Sequence, residues 1–241
     1  MTSLGIIQAR MDSSRLPRKV LLKLGGRTVL ERVVLGARQS GVLDELVVAT
    51  TVEPADDAIV EECERIGVAS HRGPVDDVLG RFLGVLDRHE SDVVLRFTAD
   101  NPLIDPELIA RAHRVFVASG ADYLTTSIAH TLPRGLDVEM VRTPVLRAVD
   151  ALATDHHRVH VTSYIYTHAD DFDVIGLTLQ PDLSHLRLTL DTEDDLKLIE
   201  AIVGEFGDEP VGYRALTAWL LSRPDLVEIN AHVLQKALVQ A

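Results

Sequence analysis

The sequence predicts an α/β fold, a mostly parallel sheet covered by helices, on two observations. Short apolar runs rich in Val, Ile and Leu alternate with amphipathic stretches about three to four turns long. The 241 residues suffice for one full core, and no repeat, low-complexity tract or linker divides them. Residues 1–241 therefore read as a single domain.

The elements follow in order. Strands are predicted at 4–8, 45–50, 68–71, 92–97 and 122–126, where apolar and β-branched residues cluster between turn signals. Helical spacing marks 28–40, 55–66, 76–89 and 106–119 between them. Asp105 before Pro106 reads as an N-cap followed by proline at the first helical position. After residue 126 the rhythm changes. The turn-rich LPRGLD lies within 128–141, and 171–179 alternates as an antiparallel or edge strand would. Residues 127–185 are thus expected to be a smaller region grafted on the main sheet, an acceptor-binding lid. Residues 186–190 read as one more strand, Asp191 or Thr192 caps a helix through Glu205, and two further helices close the chain.

Composition restricts the function. Acidic residues outnumber basic ones 37 to 24, a formal charge of −13, which argues against coating nucleic acid or an anionic membrane. The single cysteine, Cys63, has no partner within the chain, and no apolar run is long enough to span a bilayer or serve as a signal segment. A cytoplasmic protein is the expectation.

Against that acidity, IIQARMDSSRLPRKVL concentrates Arg10, Arg15, Arg18 and Lys19 in the loop after the first strand. In such sheets ligands bind beyond the carboxyl ends of the strands. The loop lacks both G-x-G-x-x-G and G-x-x-x-x-G-K-[ST], so the dinucleotide and P-loop readings fail. Ala9, Arg10, Ser13, Ser14, Arg15 and Lys19 instead offer forked guanidiniums, hydroxyls and a point charge, the donors a triphosphate needs; the bland alternative is a solvated basic loop. In RFTADNPLID, Asp100 directly follows an apolar strand and suits half of a Mg2+ site, since that ion takes one or two carboxylates plus phosphate oxygens. Asp191 in LRLTLDTEDDL stands in the same relation to its own predicted strand; it is either the second carboxylate or part of a helix cap. In HRGPVDDVLGRF, Arg72 can face a base or phosphate, while Asp76 and Asp77 open a helix. His156 and His160 lack the further ligands a zinc site needs. Six of the ten histidines lie between His130 and His185, with Arg134, Arg158 and Arg187. They form either a pocket for an anionic acceptor or a scatter of surface residues.

Taken in order, IIQARMDSSRLPRKVL, VVATTVEPADDAI, HRGPVDDVLGRF, ADNPLIDPELI, LPRGLDVE, HVTSYIY and SHLRLTLDTEDDL resemble the cytidylyltransferases typified by spore-coat polysaccharide biosynthesis protein F, relatives of CMP-Kdo and CMP-sialic acid synthetases. The resemblance covers roughly residues 4–203. It implies a Rossmann-like nucleotidyltransferase fold, usually homodimeric, that uses Mg2+ and CTP. By position, it assigns the phosphates of CTP to the loop around Ala9, Arg10, Ser13, Arg15 and Lys19 and the cytosine to the backbone near Thr50 and Thr51. Arg72 and the segment from Asp77 to Arg81 complete the base and ribose pocket, and Asp100 and Asp191 hold Mg2+. Arg134, Asp137, Glu139, His160, Tyr164 and Arg187 face the acceptor.

The chain departs from the family's pattern twice. Asn101 stands where T-G-D-C-P has cysteine, next to the metal aspartate and facing the acceptor, and Arg18 stands where relatives often have glycine. The implied reaction is attack of an acceptor oxygen on the α-phosphate of CTP, with Arg10, Lys19 and Asp100 as its catalytic groups. A phosphonate or phosphate monoester is already ionised and needs no base; a sugar-acid hydroxyl needs one, for which Asp100 is the candidate. The alternatives are a nucleotidyltransferase that uses another NTP and a non-catalytic nucleotide-binding protein of the same fold. Arg18 has no assigned role and is expected to tolerate substitution.

Overall fold

The structure, a computed structural model, describes residues 1–235. The strands are β1 (Ser3–Gln8), the small hairpin β2 (Lys23–Leu24) and β3 (Arg27–Thr28), β4 (Glu45–Thr51), β5 (Ala69–Gly73), β6 (Val93–Thr98), β7 (Tyr123–Thr125), β8 (Glu139–Arg142) and β9 (Val174–Gly176). The helices are α1 (Val29–Gln39), α2 (Asp57–Arg65), α3 (Val78–Leu86), α4 (Pro106–Ser119), α5 (Thr143–Asp150), α6 (His156–Val159), α7 (Ser163–Thr167), α8 (Glu193–Phe206), α9 (Tyr213–Leu221) and α10 (Pro224–Val227).

One sheet of seven strands, in the order β5-β4-β1-β6-β8-β7-β9, forms the frame. β1, β4, β5 and β6 are parallel, so their carboxyl ends share one edge. β8 runs antiparallel to both of its neighbours. Period-two alternation sends Ile7, Val48 and Leu95 to one face, under α1, α2, α4, α8 and α9. Ile6, Val47 and Val94 go to the other, under α3, α5 and α7.

Side chains cap α1, α4 and α8, the last two as anticipated from sequence. Thr28 accepts from the Glu31 amide, and Asp105 accepts from Glu107 and Leu108 while its second oxygen receives the Tyr213 amide at 2.7 Å. Thr192 and Asp195 make a reciprocal capping box on α8.

Two expectations need correction. Residues 127–185 are not a graft, because they supply β8 and β9 to the main sheet, with β8 inserted between β6 and β7. The segment 171–179 yields the short edge strand β9, which is parallel to β7. Among the described residues, 186–190 form no ladder: a single bridge joins Arg187 to Arg134, and the Leu190 amide bonds to the Asp100 carbonyl at 2.8 Å. The side chains of Leu186, Leu188 and Leu190 are buried as in a strand, but the backbone is tied to two loops instead of a neighbouring strand.

Gly135 makes that arrangement possible. Its φ is +103°, and a Cβ there would lie 2.6 Å from the backbone of Leu188 and Thr189. Gly135→Ala is therefore expected to destabilise the protein by about 2 kcal/mol or more, through both backbone strain and backbone collision. The urea unfolding midpoint measures this.

Candidate active site

The carboxyl edge of β1 and β6 opens into a cleft of about 380 Å³. The loop after β1 forms one wall and is clamped at three points. The Ala9 amide bonds to the Ala49 carbonyl (3.1 Å), the Met11 amide to buried Asp56 (2.7 Å), and the Arg18 amide to the Met11 carbonyl (3.0 Å). Asp56 also accepts from the Thr51 backbone and hydroxyl, which ties the loop to the end of β4. Arg18 turns the chain with φ +61°, in the left-handed region. Glycine would adopt this turn freely, whereas a residue with a side chain pays about 1 kcal/mol there.

That turn delivers Lys19, 8% exposed, to the centre of the cleft. Its ammonium donates to Asp100 Oδ2 and to Asp191 Oδ1, both at 2.8 Å. Thr98 holds the other Asp100 oxygen at 2.6 Å. The other Asp191 oxygen takes Arg15 at 2.8 Å and Arg187 at 2.7 Å. Burial pushes the Lys19 ammonium down, but the charges of Asp100 and Asp191 and their hydrogen bonds carry it above the ordinary lysine value. Burial pushes Asp191 up, and the Lys19 charge outweighs it, so this carboxyl lies below the ordinary aspartate value.

Of the residues anticipated from sequence, Ala9, Arg10, Ser13, Ser14, Arg15, Lys19, Arg81, Asp100, Asn101, Arg134, Asp137, Glu139, His160 and Asp191 line this one cleft. Arg81 is 2% exposed, and its Nε and one terminal nitrogen find no partner among the described residues. Burial, then the charge of Arg10, presses this guanidinium below the usual arginine value. A buried guanidinium with unmatched donors beside a cleft is a ready partner for a polar ligand.

Six others lie off the cleft. Thr50 is fully buried, and the Thr51 side chain is committed to Asp56. Arg72 bonds to Asp57 and to the carbonyls of Thr51 and Glu53. Asp77 caps α3 through the Gly80 amide and pairs with Arg158. Tyr164 stacks on His168 with ring centroids 4.0 Å apart. Arg187 is buried against Asp191 and Asp195. Thr50 is simply buried, its hydroxyl without a partner among the described residues; for the other five, local polar partners or ring stacking hold the side chain away from the cleft.

Glu139 reaches the cleft but is saturated. It pairs with Arg96 at 2.7 Å, its β6 neighbour in register, and accepts from Tyr123 (3.1 Å) and Thr162 (2.6 Å). Arg96 also donates to Gln8 Oε1 (3.1 Å), which fixes a cleft-lining amide that sequence reasoning passed over. Gln8 and Thr98 are strand-terminal polar residues on central strands, and that position is the signal that would have found them. Beside Thr162, buried Val161 has φ +51°, and the Thr162 amide bonds to the His160 carbonyl at 2.6 Å. This is a positive-φ γ-turn, rare for a β-branched residue, and such strain concentrates at functional sites.

Asp100 and Asp191 share one ammonium, so their inner oxygens lie no further apart than twice that contact. Hard oxygens converging on a cation position fit a divalent ion that also binds phosphate and water. Among the described residues no group of three or more His, Cys, Asp or Glu side chains is arranged to hold a metal.

An α/β domain on a mostly parallel sheet, with a cationic first loop and two carboxylates converging over one cleft, has the layout of a nucleotidyltransferase. The chain belongs to the cytidylyltransferase family, which it matches over residues 4–216. Members of that family are CTP-dependent nucleotidyltransferases, and this protein is an enzyme of that class. It is 38% identical over 240 residues to an uncharacterized protein of Methanocaldococcus jannaschii, covering 98% of both chains. It is 35% identical over 229 residues to the spore coat polysaccharide biosynthesis protein SpsF of Bacillus subtilis, covering 91% of this chain and 94% of the other. A cytidylyltransferase structure from Leptospira borgpetersenii superposes with a TM-score of 0.91 at 27% identity, covering 98% of this chain and 99% of that one.

Two outcomes are expected. Arg18→Gly should unfold in urea within about 0.5 kcal/mol of the parent or slightly above it, because relief of left-handed strain offsets the freer unfolded chain, whereas Arg18→Val should lose about 1 kcal/mol or more. For Asp191 the depressed folded value means stability that is present above the unfolded carboxylate range, about pH 4, and lost as pH falls through the folded value. Asp191→Asn should flatten that acid limb in a series of unfolding midpoints against pH.

Proposed function

We propose that the enzyme transfers CMP from CTP to an anionic acceptor, a sugar acid, phosphonate or phosphate monoester, and releases pyrophosphate. The observation that carries this reading is Lys19 bridging Asp100 and Asp191 at the mouth of the cationic loop. Arg10, Arg15, Ser13 and Ser14 line the same wall and take the triphosphate. Arg81, with Val78 beside it, takes the nucleoside end, its unmatched donors meeting the base or ribose oxygens. Asn101, Arg134, Asp137 and His160 line the acceptor half.

The acceptor oxygen forms a bond to the α-phosphorus as the bond to the bridging oxygen of pyrophosphate breaks. The chain's part is to align the two and neutralise charge, which needs no protein nucleophile. Mg2+ held by Asp100 and Asp191 would supply Lewis-acid stabilisation of the phosphate charge. Lys19 and Arg10 neutralise the departing pyrophosphate. A sugar-acid hydroxyl must also surrender a proton, for which Asp100 is the proposed base; a phosphonate or phosphate needs none.

A cytoplasmic location is supported by the lone Cys63, a buried thiol that burial pushes up to about 12. Among the described residues no helix is long and apolar enough to cross a membrane. A homodimer is proposed from the family resemblance.

Incubation with Mg2+, each of the four NTPs and a panel of anionic acceptors should give a CMP conjugate by mass spectrometry. A conjugate formed from ATP or GTP in preference to CTP would overturn the choice of base. Asp100→Asn and Lys19→Ala should each lower pyrophosphate release by roughly 100- to 1,000-fold with circular dichroism unchanged. Near-parental turnover in either rules out the assignment.

A further inference from the structure

The C-terminal segment returns to the carboxylate pair from behind. Asn230 is 3% exposed, and its Nδ2 donates to Asp195 Oδ1 at 2.8 Å and to the Arg187 carbonyl at 3.0 Å. Asp195 is fully buried and spends both oxygens on the protein. Oδ1 also takes Arg187 Nε at 2.9 Å, and Oδ2 takes the amides of Asp191 (3.0 Å) and Thr192 (2.9 Å). Arg187 then donates to Asp191 Oδ2 at 2.7 Å, while its other terminal nitrogen meets Gln235 Oε1 at 2.8 Å. Both the backbone and the outer oxygen of Asp191 are thereby held by one buried unit. Asn230, which anchors that unit, lies beyond the residues matched to the family.

We propose that Arg187, Asp195 and Asn230 are positioning residues for the divalent-cation site. They hold Asp191 from behind, leaving Oδ1 beside Asp100 while Oδ2 is shared with Arg15 of the cleft wall, and so set how strongly a divalent ion strengthens CTP binding. This rests on the cytidylyltransferase reading of the cleft. An unrestrained aspartate rotates and must be ordered when the ion arrives; here the fold has ordered it beforehand. Hydrogen-bond partners standing behind a metal ligand typically change affinity by about 10- to 100-fold when removed.

The test is isothermal titration of CTP into the full-length protein, once with EDTA and once with saturating Mn2+; the ratio of the two affinities is the metal enhancement. Asn230→Ala is expected to bind metal-free CTP as the parent does, while its enhancement falls by about 10- to 100-fold. A merely structural role would move both affinities together. Arg187→Lys keeps the charge but loses the fork on Asp195, gives the same expected loss, and serves if Asn230→Ala does not fold. An enhancement that Asp191→Asn abolishes but that Asn230→Ala and Arg187→Lys leave intact overturns the positioning unit alone. A parent protein with neither Mn2+ enhancement nor pyrophosphate release overturns the reading of the cleft and this proposal with it.

Discussion

The ammonium of Lys19, held between Asp100 and Asp191, is the contact around which the cleft is built. The two aspartates lie 81 and 172 residues away from it in sequence. Drawing these charges largely out of water carries a penalty of several kcal/mol per buried ion that only close mutual pairing offsets, and each of the three is paired here. That requirement explains the left-handed turn at Arg18, the Asp56 clamp on the loop and the docking of the 186–191 segment against the loop after β6. Each places one member of the cluster within hydrogen-bonding distance of the others.

Two further polar networks surround that centre and differ in kind from it. Behind Asp191, Arg187 and Asp195 form a buried pair that stabilises the extended 186–191 segment without a sheet ladder. Beneath the side of the cleft lined by Arg134 and Asp137, Arg96 and Glu139 pair across β6 and β8 and reach Gln8 on one side and Thr162 on the other. Both networks are saturated with internal partners, whereas Arg81 has buried donors without partners among the described residues. Saturated groups set geometry, and unsaturated ones await a ligand.

The alternation of strand and helix was legible because the parallel strands β1, β4 and β6 are buried on both faces and read as apolar runs. β8 was not legible. It spans only Glu139–Arg142, carries a charge at each end and follows a turn-rich stretch, so its place in the sheet depends on Arg96 waiting across the strand. The same local rule misread residues 186–190, whose alternating leucines are buried without strand neighbours on both sides.

The site divides along similar lines. Arg10, Lys19 and Asp100 could be picked out from sequence because charges at the carboxyl ends of apolar runs are costly unless they bind something, whereas Asp191 stayed open between a carboxylate ligand and a helix cap. Arg187, Glu139, Asp77 and Arg72 carry the same side-chain chemistry, and sequence cannot distinguish a charge offered to a ligand from one already spent on a neighbour. The sequence by itself determined the α/β class and the cationic first loop and singled out Asp100, all set by local pattern and the cost of burying charge. Only the tertiary structure decided which charges remain available, because pairing depends on contacts between residues far apart in the chain.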